Sequence, residues 1–462
     1  MTSALDDKGR IVIVGTGLAG LRAAESLRSE GFTGEITMVG DEPWEPYDRP
    51  PLSKQALVGF MPPDHVRLPR LVPLEPVSWH RDTSAVRLDR DHRQVELDDG
   101  TLLDYDRVLI STGVRARPWP DMQQATLDGV FVVHSVEDSL ALRERLANKP
   151  QRVLLIGAGF VGGEVASACR MLDLDVTVVE AGPTPLCGSL GATIGKMAAQ
   201  AQRDFGVDLR CGVTVEALEG DADGRLRSVR LSNGTSLEVD VAVAALGAIR
   251  NTEWLGDSGL AAGPQGVTCD TSMRAVDSSA MVTDDVFVAG DVARFPHPLF
   301  GYELISLEHW KAAVLQAEVA AHNMVCHESE RRPFVNVPSF WSIQFELNIK
   351  VVGLPNIADE VVVTQGSVAD RRFVAAYGRR GRLVAAVTVN QGRYLEFYER
   401  QIAEAAAFPT DRALTDAPED AQPEPALVLV PNKTTHQSPV TLAGEWPGSL
   451  HAESTWTPEV GK

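Results

Sequence analysis

Residues 11–41 read IVIVGTGLAGLRAAESLRSEGFTGEITMVGD, and the order of residue types predicts a strand, a turn, a helix and a second strand. Ile11 to Val14 is apolar throughout, as in a strand covered on both faces. Leu18 to Arg28 carries helical periodicity, Gly31 to Gly34 breaks it, and Ile36 to Val39 resumes as a strand. Between strand and helix lies Gly15-Thr16-Gly17-Leu18-Ala19-Gly20, the spacing of a dinucleotide-binding turn. Gly15 allows the tight turn, Gly17 lets the backbone approach a pyrophosphate, and Gly20 lets the helix pack close to the strand. The helix N-terminus offers free N–H groups and a partial positive charge to phosphates. Asp41, just past the second strand, is placed to accept hydrogen bonds from a ribose.

The same order recurs at 152–180, as a strand from Arg152 to Ile156, a helix from Phe160 to Leu172 and a strand from Val176 to Val179. The turn here is Gly157-Ala158-Gly159-Phe160-Val161-Gly162, and Glu180 is the acid at the strand end. A carboxylate at that position favours a free 2′-hydroxyl and repels a 2′-phosphate. Ala181 to Leu186 contains no lysine or arginine, so NADH is expected over NADPH. Two dinucleotide sites in 462 residues suggest one cofactor that stays and one that visits. FAD and NADH fit that demand, because a flavin accepts a hydride and the protein need only position the rings and stabilise the charge that develops.

Composition narrows the function further. Hydrophobic residues make up 44% and charged residues 23%, as in a soluble globular protein of two or three domains. The chain contains no apolar run long enough to span a bilayer and opens without the apolar core of a signal peptide, so a cytoplasmic protein is expected. A net charge of −20 disfavours nucleic acid and anionic membranes as partners. Cys169, Cys187, Cys211, Cys269 and Cys326 are scattered, which argues for reduced thiols and against a local metal site. No cysteine precedes Cys169, so a redox-active pair beside the flavin, as in disulfide reductases, is not expected.

Elsewhere, 94–110 and 209–246 read as β-rich, with turns at Asp98-Asp99-Gly100 and Ser232-Asn233-Gly234. Val286 to Ala289 is a further strand, and a long helix is expected from about Leu307 to Met324. Residues 338–400 alternate strands and turns, with a hairpin tip at Gly378-Arg379-Arg380-Gly381, before a helix near 393–406. From about 408 the chain turns acidic and proline-rich, which predicts a mobile or loosely attached tail at 408–462.

Pro46-Tyr47-Asp48-Arg49-Pro50-Pro51-Leu52-Ser53-Lys54 is a highly specific string, supported by Ser111-Thr112-Gly113, Gly290-Asp291-Val292-Ala293, Glu308-His309-Trp310 and Phe340-Trp341-Ser342. Through these the chain resembles, over roughly 9–405, the FAD-containing NADH:ferredoxin reductases that serve oxygenases and cytochromes P450. Putidaredoxin reductase, rubredoxin reductase and the aromatic-ring dioxygenase reductases are the nearest types, and apoptosis-inducing factor is more distant. The resemblance implies an α/β, glutathione-reductase-like flavoprotein with two dinucleotide-binding units and an α+β C-terminal domain. It implies an FAD domain from 1–115 and 248–325, an NADH domain at 116–247 and a C-terminal domain at 326–407. It implies Lys54 beside the reactive edge of the flavin, paired with Glu164. It further implies FAD contacts from Arg49, Ala85, Thr112, Gly113, His134, Gly290, Asp291, Glu308, His309, Trp310 and Trp341, with Gly247 on the NADH side.

The helix near Glu308 is expected to point its positive end at the flavin pyrimidine. Lys54 could otherwise be a solvated loop lysine, and Trp341 a core tryptophan. Four positions depart from the family pattern. His134 and Ser306 replace arginines, Arg250 replaces a proline and Ile343 an aspartate. The implied partner is a ferredoxin-type iron–sulfur protein, the implied assembly a monomer or homodimer. A flavin oxidase, a quinone reductase and a redox regulator akin to apoptosis-inducing factor are the alternatives. Arg331-Arg332 and Arg379-Arg380-Gly381-Arg382 are the clearest basic clusters that could steer an acidic partner.

Overall fold

Short apolar runs make the strands at the centre of both nucleotide-type units. In the first, Arg10–Val14 pairs in parallel with Glu35–Val39 on one side and with Arg107–Ile110 on the other. Ser78–His80 extends the sheet beyond Glu35–Val39, and Val282–Val288 and Arg274–Val276 extend it beyond Arg107–Ile110. Strand order therefore reverses at Arg10–Val14. A crevice opens outside the carboxyl ends of the strands at such a switch point, and ligands bind there. The helices Leu18–Ser29 and Trp310–Val325 pack on each other over this sheet. The computed structural model describes residues 5, 8–59, 61, 63–411, 415–416 and 422–426.

The second unit repeats the plan. Val153–Ile156 lies between Val176–Glu180 and Val241–Ala244, all parallel, with Asp208–Cys211 and Val130–Phe131 at the edges. Each unit carries a three-stranded antiparallel meander, Ala85–Asp89 to Leu102–Asp104 in the first and Val215–Gly220 to Ser236–Glu238 in the second. The chain passes between the units along Val114–Ala116 and Ala248–Arg250, which pair antiparallel. Beyond 339, antiparallel strands form a sheet in the order Ser339–Gln344, Leu347–Gly353, Arg382–Val389, Arg372–Arg379, Glu360–Ser367, Glu424–Pro425, and helix Leu395–Ala403 packs on it.

Three local expectations need correction. The long helix starts at Trp310, not Leu307, because His309 is extended (φ −124°, ψ 131°) and acts as its cap. The last helix is shorter than 393–406, since Gly392–Tyr394 is a 3₁₀ turn and Ala405 has a left-handed φ of 55°. The described residues of the expected tail are also more firmly held than their composition suggests. Phe408 is 6% exposed and occupies the space left by Gly378, where a Cβ would fall 2.2 Å from its ring. Asp416 N donates to Thr364 O at 3.1 Å, and Glu424–Pro425 adds an edge strand. The remainder of the expected tail, 427–462, lies outside the described residues.

A chain ending at Ala407 should therefore unfold earlier than the full protein. Phe408→Ala should cost about 3–5 kcal/mol, as for truncation of a buried aromatic. Denaturant unfolding of both checks this, and a Phe408→Ala midpoint equal to the parent would show that the anchor is illusory.

Candidate functional site

The two glycine turns have the same construction. Gly15 and Gly157 take left-handed φ angles of 113° and 102°. A Cβ on Gly20 would lie 1.9 Å from Gly15 O, and one on Gly162 would lie 2.0 Å from Gly157 O. These close approaches bring each helix against its strand. At Gly17 and Gly159 a Cβ would meet nothing within 4 Å, so the backbone there faces open space. Neither following helix has a side-chain cap, which leaves N–H groups free for an anion. The donor arrangement fits a dinucleotide pyrophosphate at both turns.

One cavity of about 960 Å³ joins the two units. Its wall includes Gly15, Thr16, Gly17, Leu18, Ala19, Asp41, Arg49, Lys54, Ala85, Thr112, Gly113, His134, Gly290, Asp291, Glu308, His309, Trp310 and Trp341, and also Phe160, Val161 and Glu164. Sequence reasoning thus named residues that the fold brings together from both units. Gly157, Gly159, Gly162 and Glu180 lie at the second turn and its neighbouring strand end, and Gly247 immediately precedes the returning linker strand Ala248–Arg250. Asp41 stands exposed on the cavity wall. Glu180 accepts from Ala158 N and Gly182 N, each at 2.7 Å, so it also ties the second turn to the loop after its own strand.

At the junction of the units, Lys54 Nζ lies 2.6 Å from Glu164 Oε2, with the side chains 13% and 6% exposed. Lys54 is therefore no solvated loop lysine. Lys54 Nζ also donates to Pro50 O at 2.9 Å. Trp341 is 42% exposed and meets Trp310 edge-on at 6.5 Å between ring centres, which removes the reading of it as a core residue. The Trp310 indole donates to Asp48 Oδ1 at 2.8 Å. Burial raises the Asp48 carboxyl above its usual range, against that hydrogen bond and the Lys54 charge.

Arg49 donates to Glu42, to the Tyr47 hydroxyl and to His134 O at 2.8–3.0 Å. Burial, with the Arg49 charge, pushes the His134 imidazole down to about 3. His134 is therefore neutral and does not supply the charge of an arginine. The carboxyl of Asp291 is pushed up to about 7 by burial and by Glu308, against Arg49 and Arg250. Glu308, outside the helix, pairs with Arg250 at 2.8 Å. The departure at Arg250 thus carries its own counter-ion, and Ser306 donates to Gln265 O at 3.1 Å. Ile343 is 46% exposed on the same strand face as Trp341.

Several partners were not legible as site residues. Asp48, Ser53 and Ser342 lay inside quoted motifs, so the signal was present, but Gln316, whose Oε1 accepts from Gly290 N at 2.8 Å, carried none. Three arginines of the basic clusters are already paired. Arg331 pairs with Asp284 and is only 7% exposed, Arg332 pairs with Glu30, and Arg379 pairs with Glu303. All five cysteines are free. Among the described residues no group of three or more potential ligands could hold a metal ion, and no helix is long and apolar enough to cross a membrane.

Residues 9–317 match the family described as pyridine nucleotide-disulphide oxidoreductase, and 339–422 match a reductase C-terminal domain. Rhodocoxin reductase of Rhodococcus erythropolis is 35% identical over 94% of this chain and 97% of that protein. The ferredoxin–NAD(+) reductase component of the anthranilate 1,2-dioxygenase system of Burkholderia cepacia is 32% identical over 88% of this chain and 96% of that protein. The crystal structure of the covalent putidaredoxin reductase–putidaredoxin complex aligns with a TM-score of 0.79 at 30% identity, covering 86% of this chain and 93% of that one. The chain belongs to the pyridine nucleotide-disulphide oxidoreductase family, among its ferredoxin reductases.

Proposed function

We propose that this protein carries electrons from NADH through FAD to a ferredoxin-type iron–sulfur protein that serves a monooxygenase or dioxygenase. The observation that carries the reading is the single cavity running from the first glycine turn to Phe160, Val161 and Glu164 of the second unit. When bound, FAD supplies the conversion from two-electron to one-electron transfer. The chain's own residues bind and orient. The first turn and the helix N-terminus after it hold the FAD pyrophosphate, and Asp41 accepts from a ribose. Asp291 takes the ribityl–phosphate side. Arg49, Ala85, Thr112, Gly113 and His134 line the pocket, with Gly290, Glu308 and His309. Trp310 starts a helix whose positive end would point at the ring, and Trp341 would lie next to it. Lys54, held by Glu164, places a cation at the reactive edge. Gly157, Gly159, Phe160, Val161, Gly162, Glu180 and Gly247 receive NADH.

The domain assignment follows the same reading, with FAD on 1–115 and 248–325, NADH on 116–247 and a C-terminal unit from 326. The edge strand Glu424–Pro425 supports carrying that unit past 407. The charge of −20 supports a protein that binds neither nucleic acid nor anionic membranes, and a cytoplasmic monomer or homodimer belongs to the same proposal.

The test is NADH-driven, ferredoxin-linked reduction of cytochrome c, repeated with NADPH. NADH should be preferred, and Glu180→Gln should narrow the preference by about 1–3 kcal/mol, the scale of a buried hydrogen bond left imperfect. Equal efficiency with NADPH would end the NADH assignment. Efficient reduction of oxygen or a quinone, with no acceleration by any ferredoxin, would replace the acceptor.

A further inference from the structure

Two separated parts of the chain converge on the Glu164 carboxylate. Its Oε2 takes the Lys54 ammonium and the Ser53 hydroxyl, each at 2.6 Å. Its Oε1 takes the hydroxyl of Ser342 at 2.7 Å. Ser342 belongs to the edge strand Ser339–Gln344 of the C-terminal sheet, where Ser342 and Gln344 are buried and Trp341 and Ile343 are exposed. Gln344 Nε2 donates to Ser342 Oγ at 3.1 Å. With that lone pair engaged, the serine proton is directed at Glu164. The Gln344 amide in turn lies against helix Phe160–Met171 at Gly163, where a Cβ would fall 2.0 Å from Gln344 Oε1.

We propose that Ser342, oriented by Gln344, is a positioning residue that fixes the Lys54 cation at the flavin edge. The inference rests on the reading of Lys54 given above. With a donor on each oxygen the carboxylate cannot turn about its last bond, and Lys54 Nζ stays where Oε2 holds it. Without the Ser342 hydroxyl, Oε1 is a buried acceptor with no donor. The carboxylate then turns toward Ser53 or Lys54, and the ammonium moves with it. The C-terminal sheet thereby sets the field at the flavin through one hydroxyl.

The experiment compares Ser342→Ala, Ser342→Thr and Gly163→Ala in the full-length FAD-loaded protein, with Lys54→Met as reference. Ser342→Ala should lower the limiting rate of flavin reduction by about tenfold or more, the scale for a lost preorganised donor, with KM for NADH within about twofold. Its flavin absorption bands and midpoint potential should move in the same direction as in Lys54→Met. Ser342→Thr keeps the hydroxyl on a strand that suits a β-branched residue and should restore rate and potential. Gly163→Ala favours the helix yet displaces Gln344, and should give a weaker form of the Ser342→Ala effect. A slow Lys54→Met beside a Ser342→Ala of unchanged rate and potential overturns the positioning role alone. An unaffected Lys54→Met overturns the reading of Lys54 itself. If Ser342→Ala loses FAD or does not fold, Gly163→Ala decides, and parental rate and potential in that variant overturn the proposal.

Discussion

Lys54→Met is expected to slow NADH-dependent flavin reduction by roughly 100-fold, about 2.7 kcal/mol in barrier, while FAD remains bound. The scale is that of removing one preorganised electrostatic contact from a water-excluded site. The Lys54–Glu164 pair at 2.6 Å is almost wholly removed from solvent, so bulk water screens it little. Methionine keeps the length of the stem and removes only the charge. Glu164 then retains Ser53 and Ser342 as donors, which limits the loss of stability. Glu164→Ala is the harsher change, because it leaves the ammonium buried with Pro50 O as its hydrogen-bond acceptor and without its paired carboxylate. Removing one partner of a buried pair costs about 3–5 kcal/mol, so this variant should unfold earlier as well as react slowly. Stopped-flow reduction and denaturant unfolding on both variants separate the two effects. Lys54→Met with the parental reduction rate would show that the cation does not serve the flavin.

The parts of the fold that were legible are those whose cause is local in sequence. Gly15 and Gly20, or Gly157 and Gly162, are near neighbours, and the contact that forbids a Cβ on one is made by the backbone of the other. A strand covered on both faces shows itself as an unbroken apolar run. Contacts between distant parts of the chain leave no such trace. Ser342 meets Glu164 across 178 positions, and Trp310 meets Asp48 across 262, and spacing carries no information at that range. Arg331 looked like part of an open basic patch because Asp284, its partner, is 47 positions away. The segment after 408 looked loose for the same reason. Composition reports the average polarity of a stretch, whereas its attachment depends on one phenylalanine under Gly378 and one short strand on the sheet edge.

Asp291→Asn should weaken FAD binding at pH 8 and abolish a pH dependence that the parent shows. In the ligand-free fold burial and Glu308 push the Asp291 carboxyl up to about 7, from the ordinary aspartate value of about 4. Between these values the folded state holds a proton that the unfolded chain has released. Ligand-free stability must therefore fall as pH rises from about 4 to about 7 and level off above. The shift corresponds to about 4 kcal/mol at most. A carboxylate drawn out of water is costly unless something bound supplies donors, and ribityl hydroxyls are donors of the right kind. FAD binding should then draw the titration downward and release a proton below pH 7, so affinity rises with pH up to that point. Asparagine cannot ionise. It should stabilise the FAD-free protein at pH 8, flatten the pH dependence, and cost about 1.5–3 kcal/mol of FAD affinity, the value of hydrogen bonds to a charged acceptor. Urea unfolding of FAD-free protein at pH 5 and pH 8, with FAD titrations at both, measures all three. An asparagine variant that binds FAD as tightly as the parent at pH 8 would remove Asp291 from the flavin site. Unchanged pH dependence of stability in that variant would place the titration on another group.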